Sequence, residues 1–588
     1  MQDKKTNNGD KSSDRGTPAF YSVLFENREI GGRSTKRARS LASIRPTKWF
    51  DTVVHMTSYA STRAYGWFLM TFGLVSLFLH LAEYYFASSP SEQLSQLVIG
   101  AVLALLSIPL MLVDMPMCEA LQRFPVTNYI FFEFFSIKRI SVHKKKKQGY
   151  PIIGMLIGLI PAVFGFFFPM EWVVLVIIAA IFIVVSFVSP EFPFLVMLML
   201  VPYAALFDFS GDVMIAISIL TLFSFFAKVM LGKRHYSVGM SDICIIVFAA
   251  VIVVFGVIGG GRNSTGVSMA LVAFSLNYIP ATNITVNRRL ADCAIDATVF
   301  SSLPVSIVAV VRYVINLFTT GRAPESSVMS SPYILATYLC VVLSLVAFSI
   351  TGASGSIKRG LYVTLLVTHL LALLTTECIP VLIVLGMMVV ARAIMLSRKV
   401  RKEMLIPLAI VPAFVFVLPN AALSAISSVS PMSMTLVELR AGLLRSLQIF
   451  RESIFIGVGA SDLSGEPTGA VLNSILGLGY RFGIFAVVVL CVVCAIRLHQ
   501  DTLHTLFLKS SQLSAFSNMT TVAMFAMAAC GWFCDVFADI GLYCLFFSMF
   551  GLNTAALRIS RNEYQERQWY FKDQKDVDSS TVDVFLHR

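Results

Sequence analysis

Arg440 and Arg451 stand eleven residues apart in the stretch from Glu438 to Gly483, which reads ELRAGLLRSLQIFRESIFIGVGASDLSGEPTGAVLNSILGLGYRFG. Eleven residues is close to three full helical turns, so on a helix both guanidiniums fall on nearly one face. Leu443, Leu447, Phe450 and Ile454 recur at helical spacing beside them, which predicts an amphipathic helix on or in a membrane interface. Guanidinium groups bind phosphate bidentately and stay charged at any working pH, so two of them beside an apolar stripe suit a lipid-linked diphosphate. The commoner fate of such arginines is to reach lipid headgroups or to pair with Glu438 and Glu452, and spacing alone favours it. Arg262, in GGGRNSTG, is a third cation that could help to hold an anionic ligand.

A group that accepts a proton is the other requirement for transfer chemistry. Asp462, with Glu466 four residues on, sits in the turn-rich GVGASDLSGEPTG, where solvated carboxylates are the ordinary outcome. His369 lies toward one end of a hydrophobic segment, and Glu377 follows in the adjoining turn. An ionisable residue inside a membrane is a functional candidate by default, although a neighbouring helix would equally account for His369. No P-loop, GxGxxG or HExxH motif is present in the polar connections, which argues against nucleotide-driven transport carried in this chain. Neither a metal nor a cofactor is expected.

The elements that must position these groups are membrane helices. The chain has 588 residues, 56% hydrophobic and 14% charged, with a mean hydropathy of +0.77. Apolar runs of about 20 residues, rather than ten-residue alternating strands, predict an all-α polytopic membrane protein. Candidate spans begin near Tyr65 and Leu94, then near Pro151, Glu171, Phe192, Val213, Ile243 and Gly266. Others begin near Val299, Pro332, Gly360, Ile379 and Leu405, and the last near Ser474, Met519 and Ile540. That is 16 crossings, and the expected range is about 14–16.

The organisation reads as a basic tail over 1–64, two spans and an interfacial basic segment over 65–149, and a bundle over 150–421. An extracytoplasmic loop follows over 422–473, then three last spans over 474–556 and a tail over 557–588. Residues 1–64 carry twelve Lys/Arg against six Asp/Glu and no apolar signal region, so the tail is expected to be disordered or to lie on the cytoplasmic membrane surface. KRISVHKKKK and its upstream aromatics suit an interfacial segment on anionic lipid. With the N-terminus inside, most basic connections fall on the cytoplasmic side, both termini are cytoplasmic, and Glu438–Gly483 faces outward. The charge of +12 is spread among these connections, which argues for lipid contact and against nucleic acid. Cys491 and Cys494, three apart in one span, read as packing residues.

The plan of many spans, a long outer loop and three final spans resembles the O-antigen ligase and O-antigen polymerase superfamily of bacterial membrane glycosyltransferases. ELRAGLLRSLQIFRESIFIGVG resembles that family's arginine, helix and P-L-x-G-x-G ending, with Arg440 at the arginine and Gly457 and Gly459 at the glycines. NSILGLGYRFGIFAVVVL resembles the segment leading into the next span, with Gly483 at its first glycine. SSPYILATYL resembles the family's N-P-N-x-x-A-x-Y-L, and the likeness covers roughly residues 150 to 556. Three positions depart from the family. Leu472 and Asn473 stand where it places its histidine, TTECIP stands for its S-R-G, and Arg481 replaces its glutamate.

The resemblance implies a GT-C-like bundle in the bacterial plasma membrane that transfers a polyprenyl-diphosphate-linked glycan to an acceptor hydroxyl at the outer face. Arg440, with Arg451 and Arg262, would hold the diphosphate. His369, Glu377 or Asp462 would substitute for the missing base. Two alternatives stand beside this reading: a non-catalytic paralogue that binds lipid-linked glycan or scaffolds envelope assembly, and a secondary transporter or lipid flippase with discontinuous helices.

Overall fold

The computed structural model describes residues 28–30, 57, 60–86, 90–135, 137, 151–206, 210–231, 234, 236–285, 288–319, 329–352, 355–395, 436–459, 473–507 and 511–559. The described chain is helical apart from strands β1 (Arg28–Ile30) and β2 (Tyr236–Val238). Its helices, in order, are α1 (Thr62–Phe86), α2 (Pro90–Leu112), α3 (Met117–Arg123), α4 (Pro151–Phe167), α5 (Met170–Val188), α6 (Glu191–Leu200) and α7 (Ser210–Met230). Next come α8 (Met240–Gly259) and α9 (Ser264–Ile284), then α10 (Arg288–Thr319), α11 (Pro332–Gly352), α12 (Ser356–Thr375) and α13 (Ile379–Met395). The last four are α14 (Leu436–Glu452), α15 (Ser474–Phe507), α16 (Ser511–Cys530) and α17 (Ile540–Ile559).

Among the described residues, 11 helices are long and apolar enough to cross a membrane. The chain is therefore a multi-pass membrane protein, as its hydropathy predicts. The sequence count of 16 is larger because four of its segments form shorter helices. α6 has ten residues, about 15 Å at 1.5 Å per residue, and Pro202 turns its end into a single 3-10 turn. The apolar part of α16 (Phe516–Cys530) is also short, as are α4 and α13 with 17 residues each. The segment near Leu405 lies outside the described residues.

Helical backbone extends from Met240 to Leu276 with little interruption, yet a side chain on Gly256 would collide with Ser268. A straight helix holds residues twelve apart at about 18 Å, so the chain doubles back between Gly259 and Ser264. α8 and α9 are antiparallel neighbours, in agreement with the two separate spans read from sequence.

A small sub-bundle of α1, α2, α4 and the start of α5 centres on Phe72, Ala162 and Met170. Gly154 and Gly158 let α4 approach the backbone of Ala64 and Phe68, and Gly73 of α1 faces Gly100 of α2. Small residues permit this closeness where water exclusion cannot drive association. The main core gathers around α9, α11 and α17, and α17 is almost wholly enclosed by protein. Its Tyr543 and Phe547 rings lie 4.9 Å apart, and Phe550 meets Tyr278 at 5.2 Å.

The end where α8 begins and α17 finishes is tied by Arg558, which donates to Asp242 Oδ2 (2.8 Å) and Asn283 Oδ1 (3.2 Å). Lys228, Arg234, Arg289, Lys358, Arg359 and Arg497 fall at this same end by helix direction. There β1 pairs antiparallel with β2, Arg28 opposite Val238 and Ile30 opposite Tyr236. The tail is thus not wholly without regular structure, as its composition suggested. Tyr236 packs edge-on to Phe225 and Phe226, and burial pushes its hydroxyl up to about 12. The aromatics upstream of the lysine run divide: Tyr129 is exposed, whereas Phe135 packs edge-on to Phe192 at 4.9 Å. Residues 138–150 lie outside the described residues.

Candidate functional site

The opposite end of the bundle carries the arginine helix. α14 forms over Leu436–Glu452, as the apolar spacing predicts. Leu443 and Ser446 are buried, and Phe450 rests on Gly479 of α15, where any larger residue would displace its ring. Leu447 instead points outward with Leu444, because at 100° per residue it lies about 40° to one side of Leu443 while Ser446 and Phe450 lie to the other. Arg440 is half-buried while Arg445 and Arg451 are exposed. Arg440 and Arg451 flank the packed stripe on one side, about 16 Å apart along the axis. That separation puts them near opposite ends of the helix. The side chains of Glu438 and Glu452 lie outside the described residues.

Beyond α14, residues 453–459 form a clasp on a break in α15. Gly483 has φ 75° and ψ 175°, which interrupts the helix nine residues after its start, about 14 Å into it. In an unbroken helix the Ile484 N–H would donate to Tyr480 O. Here it donates to Ile454 O (2.8 Å), while Tyr480 O and Arg481 O accept from Val458 N and Gly459 N (both 2.9 Å). Three backbone groups released by the break are thereby engaged, the kind of pairing that non-helical backbone at membrane depth requires. Gly457 and Gly459 also have positive φ, 75° and 81°. Gly259, at the end of α8, lies against the same clasp: a side chain there would come within 2.7 Å of Gly457 O.

Arg481 is the hub beneath the clasp. Its Nη2 donates to Asp535 Oδ2 (2.5 Å), its Nε to Gly477 O (3.1 Å) and its Nη1 to Phe537 O (3.3 Å). Both partners of the ion pair are buried. Asp535 belongs to residues 531–539, which link α16 to α17 and lie over the start of α15. Ser474 Oγ donates to Cys534 O (3.0 Å) and accepts from Val536 N (2.9 Å). Asn473 Oδ1 caps α15 by accepting from Ile475 and Leu476 N–H, so Asn473 serves the helix terminus. Ser330, just before α11, donates to Asp539 Oδ2 (3.3 Å).

Glu377 occupies the turn between α12 and α13 at this end. Among the described residues it is the one non-glycine residue with positive φ, 52°. Tyr313 of α10 donates to its Oε1 (2.8 Å). Its neighbour Cys378 is buried near Cys530 and Cys534, and burial pushes that thiol up to about 12. A thiol held there is not a nucleophile at neutral pH.

The six site residues read from sequence are thus distributed unevenly. Arg440 and Arg451 share one helix. Arg262 follows Gly259 by three residues, in the turn between α8 and α9, with its side chain outside the described residues; Asp462 lies wholly outside them. Glu377 reaches the same end of the bundle, but His369 does not face it. His369 is fully enclosed, and its Nε2 meets Ser302 Oγ at 2.6 Å. Ser302 in turn donates to Val299 O (2.6 Å), so His369 Nε2 carries the donated proton and Nδ1 is left without a partner inside the bundle. Sequence reasoning missed the Arg481–Asp535 pair and the clasp. The positive-φ glycines were the available signal for the clasp.

Comparison with known family models and with curated proteins gives no match.

Proposed function

We propose that this multi-pass protein binds a polyprenyl-diphosphate-linked glycan at the outer face of a bacterial plasma membrane and transfers the glycan to an acceptor hydroxyl, in the manner of O-antigen ligases and polymerases. One observation carries the reading: the segments that supply the resemblance fold into a single interlocked unit. Val458 and Gly459 donate across to Tyr480 O and Arg481 O beside the Gly483 break, and the helix bearing Arg440 packs on the same half of α15. The basic residues gathered at the Arg558 end support a cytoplasmic position for that end and an outer position for the clasp.

In this reading Arg440, half-buried near the start of α14, neutralises the leaving diphosphate, and fixed cations of this kind can supply much of a transfer reaction's rate. Arg451, about 16 Å away, meets the glycan or a lipid headgroup. Arg440→Ala is expected to lower transfer by at least about 10²-fold with normal insertion and thermal stability. The measurement is transfer from a polyprenyl-diphosphate oligosaccharide in proteoliposomes, and wild-type turnover by that variant would overturn the assignment.

A second reading, a non-catalytic binder of the same lipid carrier, is favoured by Arg481. The family's glutamate position is occupied here by a cation already satisfied by Asp535. Carrier binding without turnover by the wild-type protein would select that reading.

A further inference from the structure

We propose that Glu377, held by Tyr313, is the group that takes the proton from the acceptor hydroxyl. The inference rests on the transfer reading above and assigns its missing base. Of the candidate bases the structure describes, His369 is enclosed within the bundle. Glu377 is partly exposed at the clasp end.

Three features distinguish it. Its backbone is held in the left-handed region, which a residue with a long side chain adopts only when its surroundings over-determine it, and such strain gathers at functional positions. Its carboxylate is fixed through one oxygen by Tyr313, while Oε2 takes no hydrogen bond from any described residue. A chain of contacts also leads from it to the clasp. Cys378 lies near Cys534, the adjoining Asp535 pairs with Arg481, and Arg481 O holds the clasp that ends α14.

The step balances within the named groups. The acceptor oxygen gives an electron pair to the anomeric carbon as its proton passes to Glu377 Oε2. The bond from that carbon to the diphosphate breaks, and its electron pair leaves with the polyprenyl diphosphate. Tyr313 is a positioning residue, since it touches the carboxylate and not the substrate.

The test uses the full chain in proteoliposomes with a polyprenyl-diphosphate oligosaccharide and a soluble glycan acceptor, reading transfer, carrier binding and thermal stability. Glu377→Gln keeps an oxygen for Tyr313 to bond and removes the base, so turnover should fall about 10²–10⁴-fold with carrier binding unchanged. Glu377→Gly relieves the backbone, so it should unfold at higher temperature yet show the same loss of turnover. Tyr313→Phe should lower turnover less and shift its pH profile. Wild-type turnover by Glu377→Gln, with Arg440→Ala inactive, would overturn this assignment alone. A wild-type protein that binds no carrier and transfers nothing would overturn the underlying reading instead.

Discussion

Arg481→Met is expected to remove about 3–5 kcal/mol of stability, enough to deplete folded protein from the membrane, because it leaves Asp535 as an uncompensated buried carboxylate. The magnitude follows from the geometry. Asp535 is pressed against Gly477 with no room for a side chain between them, and its second oxygen is buried without a hydrogen-bond partner. Burial raises the Asp535 carboxyl above its usual range, and the Arg481 guanidinium opposes that shift. Adding Asp535→Asn to Arg481→Met should recover most of the loss, since the stranded charge is then gone. Thermal unfolding of the two single variants and the double variant in detergent measures the coupling. Equal midpoints for wild type and Arg481→Met would show that the pair contributes nothing.

Gly483→Ala is the second change expected to act strongly. A left-handed backbone costs a side-chain-bearing residue about 1–3 kcal/mol by itself, and the added carbon would also run into the Phe455 carbonyl. The chain can escape only by releasing the clasp, which strands the carbonyls of Tyr480 and Arg481. Gly457→Ala should act in the same direction, because its new side chain would stand 2.5 Å from Arg481 O. Gly266→Ala and Gly360→Ala meet nothing within 4 Å and should be neutral or slightly stabilising on their helices. Protease accessibility of residues 453–459, compared across the four variants, separates release of the clasp from general unfolding; an unchanged clasp in Gly483→Ala would refute the mechanism.

Local signals explain what the sequence revealed. Long apolar runs announce membrane helices because hydrocarbon demands them over some 20 residues, and the arginine helix was legible because Leu443 and Phe450 repeat in phase. The GGGRN text marked the return between α8 and α9. Other features depend on partners far along the chain. Nothing near Arg481 points to Asp535, and neither REI nor YSV is long enough to announce a strand before the two meet. Length misled the count of spans, since α6 is apolar enough to cross but Pro202 stops it short. The positive φ of Glu377 is set by packing around a turn and has no counterpart in residue type. Asn473, noted first as a missing histidine, carries an ordinary capping signal ahead of an apolar run.

The ion pair beneath the clasp also fixes an order of assembly. Arg481 is synthesised 54 residues before its partner, and the rest of α15 and all of α16 emerge before Asp535 arrives. Until then the nascent chain holds an arginine near the lipid boundary with no carboxylate to meet it. The last hairpin therefore does more than fill the core: it closes the membrane domain electrically, and a chain stopped before residue 535 keeps an arginine with no carboxylate to neutralise it.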